Sequence, residues 1–150
     1  MKWVEEAVVR EREQAEQRRK DEELQLHRAR ILQGGIPPLW NSLVEACSRA
    51  VESYKTLYPK TPEHVVNFVH LGNEFRVERT LHPGSMARVV LRIEGYRVDY
   101  ERIVRGETSS GSFNFKVNPS DSSVAFLFDE KIAGPEAVSE WLLKPVLFTA

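Results

Sequence analysis

A single cysteine, Cys47, stands among 150 residues. That excludes an internal disulfide and any zinc site built on several thiolates, and it fits a reducing compartment. Charge of one sign is lacking too. The 21 Lys and Arg are matched by 22 Asp and Glu, so no global field gathers nucleic acid or an anionic membrane. No apolar run approaches membrane-spanning length, and Met1-Lys2-Trp3-Val4-Glu5-Glu6 places acids where a secretory signal needs an unbroken apolar stretch. The reading is a cytoplasmic protein without a membrane partner.

Metal and catalytic signals are equally sparse. His27, His64, His70 and His82 form no i, i+4 pair on a helix and no cluster with acids, so no metal site is expected. Cys47 falls on an apolar helical stripe, where a thiol is usually a small buried hydrophobe. The serine-rich stretches around residues 108–112 and 120–123 lack the context of a nucleophile elbow and the glycine spacing of a phosphate loop. No catalytic residue and no cofactor is assigned. The chain reads as non-enzymatic.

What is present is an ordinary globular composition, 41% hydrophobic and 29% charged, at the usual size of one domain. Residues 3–33 contain neither proline nor glycine and are dominated by Ala, Glu, Gln, Arg, Lys and Leu, which predicts a long helix of roughly 45 Å at 1.5 Å per residue. Gly34-Gly35 with Pro37-Pro38 behind predicts its end, and with it a boundary between a projecting helix (1–33) and a body (34–150). Glu6/Arg10, Gln14/Arg18, Glu16/Lys20 and Arg18/Glu22 stand four apart and support the helix from its surface. Its apolar residues collect at the two ends, Trp3, Val4, Ala7 and Val8 at one and Leu24, Leu26, Ile31 and Leu32 at the other. A second helix follows on the stripe Trp40, Leu43, Val44, Cys47, Val51, Tyr54 and Tyr58, closed by Pro59 and Pro62.

The middle of the chain alternates with period two. Six strands are predicted, near 64–71, 74–81, 87–93, 96–104, 112–118 and 123–129, joined by turns at Gly72-Asn73, His82-Pro83-Gly84-Ser85, Glu94-Gly95 and Asn118-Pro119-Ser120-Asp121. Residues 108–112 read as a flexible loop. One face carries Val66, Phe68, Phe75, Val77, Val89, Leu91, Ile93, Tyr96, Val98, Tyr100, Phe113, Phe115, Val117, Val124, Phe126 and Phe128. A last helix opens at Gly134-Pro135-Glu136. The fold class is therefore α+β: a long N-terminal helix, then helices on one face of a curved antiparallel six-stranded meander, with a C-terminal helix.

Arg76, Arg88, Arg92, Arg97, Asp99, Glu101 and Lys116 take the opposite, wet phase of their strands. If Glu94-Gly95 forms a two-residue turn and Leu81 pairs with Ala87, then Arg76, Arg92 and Arg97 form one row across three strands. Such a row would bind an anion or be neutralised by Glu74, Glu78, Glu94 and Asp99. Three functional readings follow. The first is an interaction or assembly module, a homo-oligomer or the partner of another protein, acting through Trp3, Val4 and Val8 of the first helix. The second is a small-ligand or lipid-binding domain with an apolar pocket between sheet and helices and Tyr96, Tyr100 and Arg79 as polar handles. The third is anion or nucleic-acid binding on the wet-face arginines and Lys116, a surface with no interleaved aromatics to stack bases.

Overall fold

The computed structural model describes residues 1–58, 62–81 and 85–148. One helix, α1 (Lys2–Leu57), opens the chain. A short 3-10 turn at Pro62–His64 leads into the strands β1 (Val66–Leu71), β2 (Glu74–Leu81), β3 (Ser85–Glu94), β4 (Arg97–Val104), β5 (Glu107–Val117), β6 (Val124–Phe128) and β7 (Lys131–Ala133). Helix α2 (Pro135–Leu147) closes it. All seven strands form one antiparallel meander in chain order, and both helices pack on the same face, giving the two-layer α+β architecture expected. The sequence predicts six strands. The seventh is three residues long and follows a tight turn at Asp129-Glu130, both at positive φ without being glycine, so neither length nor turn chemistry announces it. The stop expected at Pro59 and the turn at His82-Pro83-Gly84 lie outside the described residues.

The predicted helix stop at Gly34-Gly35 does not occur. Helix α1 runs through both glycines and through Pro37 and Pro38, 56 residues or about 84 Å in all. Tertiary packing overrides the local signal. Ile36, Trp40, Leu43, Val44, Cys47 and Val51 are buried on the sheet, while Pro37 and Pro38 point to solvent, so the carbonyls of Gln33 and Gly34 that lose their helical donors face water. Gly35 has a separate reason to lack a side chain. A Cβ there would lie 2.9 Å from Cβ of Val124, because α1 crosses β6 at this point.

The core is a layer of Phe75, Val77, Val89, Leu91, Val98, Phe113 and Phe126 under Leu43, Cys47, Val51, Val138, Leu142 and Val146. The predicted inner face is the observed one, except that Tyr96 sits in the β3–β4 turn and is exposed. Residues 108–112, expected to be a flexible loop, belong to β5. They pair one by one with β4, from Ile103 opposite Thr108 to Asp99 opposite Ser112, after a two-residue turn at Arg105-Gly106. This hairpin carries polar residues on both faces, so it lacks the alternation by which the other strands are read.

Cys47 is fully buried, and burial pushes its thiol up to about 12. Above roughly pH 8.5 the unfolded thiol ionises while the folded one stays protonated, so stability falls with rising pH from there towards 12. Cys47→Ala is expected to cost on the order of 1 kcal/mol at neutral pH and to flatten this fall between pH 8.5 and 10, read by urea unfolding at several pH values. Fast maleimide labelling of the native thiol would contradict the placement.

Candidate interaction surface

Residues 1–30 are exposed without exception, and partial burial begins at Ile31 and Leu32. The free arm is about 43 Å long. Its middle holds itself helical through side chains four apart: Lys20 to Glu16 at 3.9 Å, Arg19 to Glu23 at 4.0 Å and Gln17 to Asp21 at 3.1 Å. Each such exposed pair contributes only a few tenths of a kcal/mol, but the repeat keeps a solvated helix stiff. At the tip Trp3 is 64% exposed, with Val4, Val8 and Val9 beside it. Trp3, Val4, Ala7 and Val8 stand three and four apart and so share one face.

At the base, Leu24, His27, Arg28, Ile31 and Leu32 face the end of the β5–β6 hairpin across a cleft of about 730 Å³, walled on the other side by Phe115, Val117 and Pro119. The hairpin end is tightly built. The Asn118 carboxamide oxygen accepts from the Ser120 amide at 3.1 Å, and the Asp121 carboxylate accepts from the amide and hydroxyl of Ser123 at 3.0 and 2.6 Å. The Ser123 hydroxyl bond, then its amide bond, holds the Asp121 carboxyl below its ordinary range. The cleft therefore has one helical wall and one firm turn.

The arginine row is not formed. In the observed register Arg92 lies between Glu74 and Asp99, Arg76 between Val69 and Val90, and Arg97 between Glu94 and Asn114. The β3–β4 turn is Gly95-Tyr96 in place of Glu94-Gly95, with Gly95 at φ +60 taking the first turn position, and β2 pairs Leu81 with Ser85 in place of Ala87. Both differences move the partner by two residues. Faces are thus preserved and neighbours changed. Arg76, Arg88, Arg92, Arg97, Asp99, Glu101 and Lys116 all take the wet face, where Arg97 meets Asp99 at 2.9 Å and Arg88 and Arg76 approach Glu78 at 4.0 and 3.8 Å.

The polar handles of the pocket reading do not converge. Tyr96 is at a turn, Tyr100 lies across Gly111 and against Trp141 at 5.3 Å, and Arg79 is 8% exposed with its guanidinium donating to the Leu147 carbonyl at 2.8 Å. On the inner face Phe113 packs on Phe126 and Phe128, each at 5.5 Å. An apolar groove of about 370 Å³ does exist, but it runs between α1 and α2, edged by Leu57 and Phe148.

Arg102 is the residue that the alternation misses. It sits on the inner face of β4, stacks on Trp141 at 4.3 Å and donates to the Trp141 carbonyl at 2.8 Å. That carbonyl would ordinarily accept from the amide four residues on, and the residue there is Pro145, which has none. Arg79 treats the Leu147 carbonyl, at the helix end, in the same way. Two inward arginines thus fasten α2 to the sheet. Among the described residues no helix is long and apolar enough to cross a membrane. No family model, no curated protein and no solved structure matches this chain.

Proposed function

We propose that the chain is a non-enzymatic protein-interaction module of the cytoplasm, whose body serves as a platform and whose projecting helix makes the contact. One observation carries this reading: a stiff arm of thirty exposed residues that ends in an uncovered Trp-Val face. The body's own fold makes no use of that segment. Leaving Trp3, Val4 and Val8 in water forgoes roughly 25 cal/mol for each Å² of apolar surface that a partner could cover.

The test is a full-length chain with Trp3→Ser, Val4→Ser and Val8→Ser. Sedimentation velocity is expected to show association weakened at least tenfold, with the thermal unfolding of the body unchanged, since none of the three touches it. An unaltered distribution of species would remove the tip from the account.

A further inference from the structure

We infer that the arm's partner is a second copy of this chain, lying antiparallel so that each tip enters the cleft at the base of the other arm. This rests on the interaction reading above and adds to it the partner and the geometry. The charges of the arm carry the argument. Read from the tip, they fall in blocks: acidic at Glu5 and Glu6, mainly basic at Arg10 and Arg12, acidic at Glu13 and Glu16, basic at 18–20, acidic at 21–23, and basic at Arg28 and Arg30. Reversal about the point between residues 16 and 17 sets each block against one of opposite sign. Residue i then faces a residue near 33 − i: Glu5 near Arg28, Arg10 near Glu23, Arg12 near Asp21, and Glu13 near Lys20. Parallel pairing would set every block against its own sign.

The apolar ends obey the same symmetry. Reversal brings Trp3, Val4 and Val8 of one copy beside Leu24, Arg28 and Ile31 of the other, residues of α1 that line the cleft. Leu24 on the cleft is nearly half exposed, so the base, like the tip, offers uncovered apolar surface. The cleft of about 730 Å³ opens there, its far wall formed by Phe115 and Val117. Both copies use the same surface twice, as a two-fold dimer requires. The middle carries no apolar residue but Ala15 between 10 and 23, so it sets direction while the two ends supply burial.

Charge reversal in the full-length chain tests the direction. Arg10→Glu with Arg12→Glu is expected to weaken the dimer at least tenfold in sedimentation equilibrium, and adding Asp21→Lys with Glu23→Lys to the same chain is expected to restore it. The two sites lie about 17 Å apart along one helix, too far for rescue within a chain. A second variant pair reads geometry: Val8→Cys with Leu24→Cys is expected to oxidise to a covalent dimer, and Val8→Cys alone to remain uncrosslinked, with buried Cys47 silent in both. A disulfide from Val8→Cys alone overturns the antiparallel arrangement. A dimer that shows neither rescue nor the 8–24 disulfide overturns the inference while leaving the interaction reading standing. A monomer throughout overturns the second-copy partner.

Discussion

Arg102→Met is expected to cost about 1.5–3 kcal/mol in the native chain and clearly less when Pro145→Ala is present. The native cost is that of a hydrogen bond from a charged donor to the Trp141 carbonyl, together with the cation–π contact on the Trp141 ring. An alanine at position 145 brings an amide that can donate to the same Trp141 carbonyl, so the helix then supplies what the guanidinium supplied. A double-mutant cycle by urea unfolding should give a coupling of about 1 kcal/mol. Additivity of the two changes would mean that Arg102 acts through the indole ring and not through the carbonyl. Helix α2 would then be held by the packing of Val138, Leu142 and Val146, by the ring contact and by Arg79.

The two adjacent glycines are expected to respond with opposite signs. Gly34→Ala should stabilise by about 0.5–1 kcal/mol, because the site is helical and open on the outside, with nothing within 4 Å of a new Cβ. Gly35→Ala should destabilise by about 1–3 kcal/mol in spite of the same propensity gain, since its Cβ would run into Val124 and force α1 off β6. Thermal unfolding of the two variants checks this directly. Stabilisation by both would mean that the helix crosses the sheet at a greater distance than it does here.

Much of the body can be read from the sequence because burial enforces period two on one face. Phe75, Val77, Val89, Leu91, Val98, Phe113 and Phe126 all alternate, and all lie under the helices. The same signal fixes strand register only to within an even number of residues. The alternation puts Arg92 on the wet face, where it lies, but cannot tell Asp99, its actual partner, from Arg97, because a shift of two leaves every face intact. Residues 108–112 do not read as a strand because this stretch of β5 is exposed, and nothing there selects apolar residues. The continuity of α1 escaped for another reason: Gly34, Gly35, Pro37 and Pro38 speak locally against a helix, and only Ile36 and Trp40, pressed on the sheet, outweigh them. Arg102 could have been found by one signal, an arginine on the apolar phase of β4 matched with a proline inside α2.

For the interaction surface the balance is reversed. The exposed tip and the charge blocks are plain in residues 1–33, whereas the cleft against Phe115 and Val117 needs the fold, since more than eighty residues separate its two walls. Light scattering weighs the arm's role most directly, on the full chain and on one shortened to begin at Arg30, which keeps the contacts from Ile31 onward. The account predicts a mass of two chains for the first and of one chain for the second; one chain for both would contradict it.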